Sequence, residues 1–429
     1  MTLVKSSILS AGAVAVRVLT SLVLNKVLAI FVGPAGYALI GQLQSLLAIA
    51  MSITGGAVST GVTKYTAEFA DSPEKQHSFW KVAMCFSLLS SIIVGATLLF
   101  THDLIGHWVF KQKGMSDVIV WFALSLPVMA VNTLLLAIIN GKKEIRSFVV
   151  ANMLGSALSL ISISLLAVLL GLRGALIGVA VNPAVSIFAT AIIIAKKSWF
   201  ATNFFCGVLD RESFCKLSGF ALMALTSAIC VPTSHMFIRE HLTTIIGWQG
   251  AGYCQAIWRI SETYLMLVTM TLSTYYLPRI AEIHNAKDLK AEILRVYLFA
   301  MPFVCFGALM IYFLRNFIVQ TLFAPNFAPM TQLFMWQLPG DVVKIAAWIL
   351  GFVLIGRGAV LPFITSEVIS SISFVALVYF FSNSLGLQGV SIAYLANYCL
   401  FFLAMIKLTS LEMSKLNKKK AISPEEVHY

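Results

Sequence analysis

The stretch GYCQAIWRISETYLMLVTMTLSTYYLPR, Gly252 to Arg279, is long enough to cross a bilayer yet carries Arg259 and Glu262 inside its apolar run. A charged side chain near the bilayer centre disfavours insertion by about 2.5–3.5 kcal/mol. At 3.6 residues per turn, Gln255, Arg259, Glu262, Thr269 and Ser273 fall on one face of a helix. Such a stripe faces other helices or water, not lipid, which makes it a candidate site. The competing structural reading is that Arg259 and Glu262 neutralise each other across one turn.

The rest of the chain has the same character. Of 429 residues, 59% are hydrophobic and 11% charged, with a mean hydropathy of +0.89. A soluble domain of this composition would leave far too much apolar surface in water, so a polytopic membrane protein is expected. Apolar windows bounded by charge, Gly or Pro predict twelve spans, near 7–31, 38–60, 80–100, 118–140, 148–170, 175–195, 218–238, 252–277, 295–314, 331–355, 362–381 and 388–406. The first opens after Lys5 and runs through Arg17 and Lys26 without a small-x-small cleavage site, so it is kept as a span. Basic residues concentrate on the side of the termini, whereas the opposite loops hold only Lys111, Lys113, Arg173, Arg239 and Arg315. By the positive-inside rule both termini are expected in the cytoplasm. The excess of positive charge is then topological, with a basic tail at the membrane surface and no nucleic-acid partner. The seven cysteines show no metal-ligand spacing, so no metal is expected.

An internal repeat emerges when the chain is folded in half. LGLRGALIGVAVN, 170–182, matches LGLQGVSIAYLAN, 385–397, at an offset of 215. The same offset pairs Gly141 and Lys142 with Gly356 and Arg357, and Phe148 with Phe363, while an offset of 216 pairs Ala35, Gly36 and Tyr37 with Ala251, Gly252 and Tyr253. The expected fold is therefore all-α integral membrane, with about twelve transmembrane helices in two pseudo-symmetric six-helix lobes around a central cationic cavity. The division expected is an N-terminal lobe at 1–200, a cytoplasmic linker at 201–217, a C-terminal lobe at 218–410 and a basic tail at 411–429.

The tenth span carries Gln337, Asp341, Lys344 and Trp348 on one face, with Pro339 just before the charges. Together with Arg17, Lys26, Arg259, Glu262 and Glu367, seven charges lie at bilayer depth. Unpaired and dry, they would oppose insertion by roughly 20 kcal/mol, which a purely structural protein has little reason to carry. Pairing within each helix, Arg259 with Glu262 and Asp341 with Lys344, leaves Arg17 and Lys26 over and a cavity of net positive character. Such a cavity suits phosphate oxygens and is poor for a cationic drug. Trp258, Trp336, Trp348, Tyr275 and Tyr276 are candidates for stacking on sugar rings, or for core and interface packing. No G-x-x-x-x-G-K phosphate loop occurs, so no nucleotide-driven pump is expected within the chain.

The segments GPAGYALIGQ (33–42), GVTKYTAEF (61–69), IGWQGAGYCQAIWRISETYL (246–265), YLPRIAEI (276–283) and LFMWQLPGDVVKIAAWILGFVLIGRG (333–358) together resemble the Wzx-type polysaccharide-unit flippases. That group includes lipid III and O-antigen translocases and lies within the multidrug/oligosaccharidyl-lipid/polysaccharide exporter (MOP) superfamily. The resemblance implies a non-enzymatic flippase of the bacterial inner membrane that moves an undecaprenyl-pyrophosphate-linked oligosaccharide, an O-antigen repeat unit of lipopolysaccharide, from the cytoplasmic to the periplasmic leaflet by alternating access. It implies substrate-binding roles for Arg17, Lys26, Arg259 and Lys344, and proton or sodium coupling for Glu262 and Asp341. Its implied partners are the lipid-linked glycan, a polysaccharide polymerase and a chain-length regulator; no cofactor is implied. Where the family pattern has Ser-Asp in the eighth span, this chain has Ser261 and Glu262. One alternative is a cation-coupled multidrug antiporter of the same superfamily, which calls for an acid-dominated cavity. Another is a membrane glycan polymerase or ligase, which calls for a substantial periplasmic loop with acid/base residues; the longest here, around Thr101 to Asp117, offers His102, Asp103 and His107 in a short hydrophilic patch.

Overall fold

Apolar runs of this length must close their backbone hydrogen bonds within each segment, because lipid offers none. In the computed structural model every such run is helical, and among the described residues there is no strand. The structure describes residues 3–112, 114–195, 197, 199, 211–283 and 285–422, with side chains undescribed at 3–11, 13, 14, 57, 211–224 and 417–422. Fourteen α-helices follow in order among these residues. They are α1 (Leu3–Met51), α2 (Ala57–Glu68), α3 (Pro73–Phe100), α4 (His102–Phe110), α5 (Ser116–Gly141), α6 (Ile145–Val185), α7 (Ile187–Ile194), α8 (Arg211–Ile245), α9 (Gly247–Thr271), α10 (Leu277–Glu282), α11 (Ala286–Leu322), α12 (Phe334–Gly356), α13 (Val360–Leu385) and α14 (Leu387–Ile422). Helix α8 begins inside the expected linker, whose positions 201–210 lie outside the described residues, as does the tail from 423.

Among the described residues, eight helical stretches are long and apolar enough to cross a membrane. Two of them, Ala15–Glu68 and Ile145–Ile194, have 54 and 50 residues, more than twice the ~20 that a bilayer requires. Each is broken by a glycine outside helical geometry, Gly33 (φ 68°, ψ −177°) and Gly171 (φ 59°, ψ −139°). Helices α8 and α9, where two further spans are expected, are 35 and 25 residues long and are not among the eight.

Two compact units divide the chain: residues 1–236 with 322–324, and residues 237–321 with 325–429. In the first, α6 packs on α1 and α5, and Val62, Phe79, Trp80, Ala83, Leu134 and Ile138 form a buried cluster. In the second, α12 and α13 both pack on α14.

The backbone carries the repeat more clearly than the side chains do. Gly386 (φ 56°, ψ −132°) reproduces the conformation of Gly171, 215 residues earlier. At the end of α5, Lys142, Lys143 and Glu144 donate their N–H groups to the carbonyls of Ile138, Asn140 and Ile139. At the end of α12, Arg357, Gly358 and Ala359 donate to Val353, Ile355 and Leu354, the same pattern at the same offset. Lys143 (φ 58°) and Gly358 (φ 66°) share the left-handed turn position. Each half also contains a five-residue π-helical segment, Ser52–Gly56 and Leu272–Tyr276.

Four expectations are corrected. The breaks at Gly33 and Gly247 (φ 73°) align the starts of the two halves at an offset of 214, not 216. The π segment ends the simple helical periodicity before Ser273, so the polar stripe stops short of that residue. Arg239 is no loop residue: it lies inside α8, is 1% exposed, and its Nη1 donates to Gln255 Oε1 at 2.7 Å. The patch at His102, Asp103 and His107 is also helical, in α4, whose Gly106, Val109 and Phe110 are buried. Asp103 and His107 are exposed on this helix and His102 is half-buried.

Candidate functional site

The densest polar cluster inside an apolar span lies in the second unit, around α12. Pro339 removes an N–H from the middle of this helix, and Gly340 follows it with no side chain. A Cβ at Gly340 would sit 2.5 Å from Cδ1 of Tyr394, so the glycine is what lets that ring lie against α12. The next residue, Asp341, is fully buried. Its Oδ2 accepts from the Ser261 hydroxyl at 2.6 Å and the Tyr264 hydroxyl at 2.9 Å, both from α9. Its Oδ1 accepts from Tyr394 of α14 at 2.8 Å and from Gln337 Nε2 at 3.4 Å. Gln337 also donates to Ser261 Oγ at 3.3 Å. Four donors fill the acceptor capacity of one carboxylate, and hydrogen bonds to a charged group are worth about 1.5–3 kcal/mol each. The acid therefore pins α9, α12 and α14 to one another.

Lys344 lies one turn further along α12, with its Nζ 4.9 Å from the ring centre of Trp348, 5.3 Å from Tyr398 and 5.8 Å from Tyr394. The expected ion pair within the helix is replaced by an indirect link: Tyr394 bonds Asp341 through its hydroxyl and offers its ring to Lys344. Tyr394 is held edge-on by Phe374 at 5.8 Å and by Tyr398 at 4.7 Å. Lys344 also hydrogen-bonds the Tyr398 side chain, and the ring faces stabilise its ammonium by about 0.5–2 kcal/mol without consuming the remaining N–H donors.

Arg259 and Glu262 do meet, but loosely: Nη1 and Oε2 are 3.8 Å apart, with side chains 30% and 55% exposed. That is the one-turn pairing, in a form worth little energy. Arg17, on α1, is exposed. Lys26, also on α1, donates to the Phe323 carbonyl, beside Tyr37, whose hydroxyl bonds Asn25 Oδ1 at 3.0 Å and whose ring meets Phe323 edge-on at 5.8 Å. The structure thus brings Asp341 and Lys344 into one cluster in the second unit, which also holds Arg259 and Glu262, while Arg17 and Lys26 belong to the first. Of the aromatic candidates, Trp258 and Tyr276 are buried, Tyr275 is exposed, and Trp348 lies against Lys344. Ser261, Tyr264, Tyr394 and Tyr398 are the residues that sequence reasoning passed over. The i, i+3 and i, i+4 spacing of these hydroxyl side chains puts each pair on one helix face, but nothing local in the sequence assigns them to Asp341 or Lys344.

The first unit carries a charged cluster of its own, at the turn after α5. Lys142 Nζ lies 5.4 Å above Trp80 and 5.6 Å above Trp199. Glu144 accepts from Trp199 Nε1 at 2.7 Å, Lys197 Nζ at 2.5 Å and Ser147 at 3.1 Å. Burial alone would raise this carboxyl, but those hydrogen bonds outweigh it and hold Glu144 below the usual carboxylate range. Among the described residues no group of acids, histidines or cysteines could hold a metal ion.

Comparison with known proteins extends the picture. The family described as "Polysaccharide biosynthesis protein" matches residues 3–284. The lipid III flippases of Escherichia coli (strain K12) and Shigella flexneri are each 28% identical over 410 residues, covering 94% of this chain and 97% of theirs. Among solved structures, an inward-facing MATE-family multidrug resistance transporter of the MOP superfamily superposes with a TM-score of 0.79 at 16% identity, over 94% of this chain and 96% of that one. A MOP superfamily transporter from Pyrococcus furiosus, described as having a binding pocket of reverse polarity, superposes with a TM-score of 0.67 at 14% identity, over 94% and 96%. At these identities the structural likeness shows a shared fold.

Proposed function

Because the chain belongs to the polysaccharide biosynthesis protein family, we propose that it is a flippase for a lipid-linked oligosaccharide, handing an undecaprenyl-pyrophosphate-linked O-antigen unit from the cytoplasmic to the periplasmic leaflet of the bacterial inner membrane. Relatives that cover nearly the whole chain are named flippases, which supports a transporter and not an enzyme. The reading includes twelve spans in two six-helix lobes and both termini in the cytoplasm, on the charge asymmetry of the loops.

The observation that carries it is Lys344. An ammonium set among three aromatic rings in an apolar helix, with a hydrogen bond to the Tyr398 side chain, is held in place and keeps further N–H groups to offer phosphate oxygens, and the rings suit sugar faces. Asp341, saturated by four donors, keeps Tyr394 and hence Lys344 in position. Arg17 and Arg259 are further candidate contacts for the pyrophosphate, and Lys26 joins them once it leaves the Phe323 carbonyl. Glu262, more than half exposed, is a better candidate than sealed Asp341 to exchange a proton or sodium ion. Outward movement of about two negative charges across 100 mV, negative inside, is favoured by roughly 4.6 kcal/mol, so membrane potential alone supplies direction.

The test is reconstituted translocation of a defined lipid-linked glycan by wild type and Lys344→Gln. The variant is expected to accumulate normally and to lose about 10–100-fold in initial rate, the worth of one charge-assisted contact. Unchanged flipping would reject Lys344 as a phosphate ligand. Drug efflux by the wild type without glycan transport would favour the multidrug antiporter instead.

A further inference from the structure

The end of α12 repeats the end of α5 in its backbone but differs in its side chains. At that turn the first half places Lys142 over two indoles, while the second half places Arg357. Nε and Nη2 of Arg357 are sealed from solvent and meet no hydrogen-bond acceptor among the described residues. These two groups form the side-on edge of the guanidinium, the edge that grips a planar or tetrahedral oxyanion with two parallel bonds. A buried donor left unmatched costs about 1–3 kcal/mol, and here there are two on one charged group.

The acid whose charge bears on Arg357 is Glu412 of α14, and it is taken: its Oε1 accepts from Lys415 Nζ at 2.5 Å. Burial holds Arg357 below the usual guanidinium range against the opposing pull of that acid. Gly356 fixes the turn, since a Cβ there would come within 2.7 Å of Ile280 Cγ2 on α10. The turn follows directly on an apolar helix, and Lys407 and Lys415, both exposed, lie along the last turns of α14. Basic groups where an apolar helix ends sit at headgroup depth and attract anionic lipid.

We propose that Arg357 is a docking point for the phosphate of a lipid headgroup, taken on the Nε and Nη2 edge after the side chain turns outward. This site is distinct from the Lys344 cluster and needs only the membrane setting, so its failure would leave the transport reading untouched.

The experiment measures the melting temperature of the full chain in neutral detergent with added phosphatidylglycerol or phosphatidylcholine. Phosphatidylglycerol is expected to raise Tm by about 2–4 °C more than phosphatidylcholine, a difference lost in Arg357→Gln and kept in Lys142→Gln. Should Arg357→Gln fail to fold, Glu412→Gln provides the second reading: removing the competing acid is expected to enlarge the lipid effect. A parallel arm with a polyprenyl diphosphate separates the sources. An Arg357-dependent shift with that lipid alone marks a station for a transported headgroup, and a shift with both marks a general lipid-phosphate site. The proposal is overturned if neither lipid shifts Tm through Arg357, or if Glu412→Gln abolishes the effect and so makes Glu412 the true partner.

Discussion

The two halves of this chain share a backbone and differ in where they put polarity. At the repeat offsets of 214 and 215, Asp341 corresponds to Leu126, Lys344 to Met129, Tyr394 to Val179, Ser261 to Leu47 and Tyr264 to Ala50. All five first-half residues are buried apolar groups. One half closes the position with a dry hydrophobic contact and the other with a saturated carboxylate and an ammonium beside it. Glycine breaks, caps and π segments are therefore scaffold, common to both halves. The α12 cluster is an addition, and a costly addition kept in one half only is where function is best sought.

The comparison can be attacked most sharply by exchanging the two kinds of core. Leu126→Asp is expected to cost about 3–5 kcal/mol, because its apolar surroundings offer none of the donors that Asp341 enjoys. Asp341→Leu leaves the hydroxyls of Ser261, Tyr264 and Tyr394 unmatched and should cost a similar or slightly smaller amount. Thermal unfolding followed by size-exclusion chromatography measures both. A harmless Leu126→Asp would mean that the first half tolerates the same polarity.

A smaller effect is expected from Gly340→Ala, which drives a methyl group to 2.5 Å from Tyr394. Overpacking of this sort costs about 1–3 kcal/mol. Because it displaces the ring that links Asp341 to Lys344, transport should fall further than stability, and the two readouts should separate.

Gly171→Ala and Gly386→Ala sharpen the comparison from the other side. Neither added Cβ meets an atom within 4 Å, so the penalty is the backbone strain alone, about 1–3 kcal/mol. Near-identical losses in Tm would show that the two breaks are energetically one feature, and a twofold disparity would show that they are not.

The mildest prediction concerns the turn after α5. The carboxyl of Glu144 is depressed in the folded state, so its contribution is present above the ordinary value of 4.5 and is lost as pH falls through the lower folded value. Below pH 4.5 the Trp199 contact should loosen, seen as a change in fluorescence that Trp199→Phe removes. The equivalent position in the second half is Ala359, so no matching transition is expected there.

Hydropathy alone makes the helical, membrane-spanning character legible, since runs of this length have no other way to satisfy their backbone. The matched GLRG and GLQG segments likewise disclose the repeat, and the charges at 259, 262, 341 and 344 mark the helices that matter. The partners of Asp341 were not legible. Ser261, Tyr264 and Tyr394 lie 80, 77 and 53 residues away, on other helices, and no local period relates them. Arg239 was misplaced for a related reason: at the end of a polar stretch, charge alone does not distinguish a loop from a buried helical turn.

By itself the sequence determined that this protein lives in a bilayer, carries an internal repeat, and places ionisable groups within its apolar runs, because solvation and chain periodicity act locally along the chain. Only the tertiary structure decided that Asp341 is a saturated clasp and Lys344 a cation among rings instead of two halves of an ion pair. That choice depends on which side chains from distant helices reach a given oxygen, and packing alone settles it.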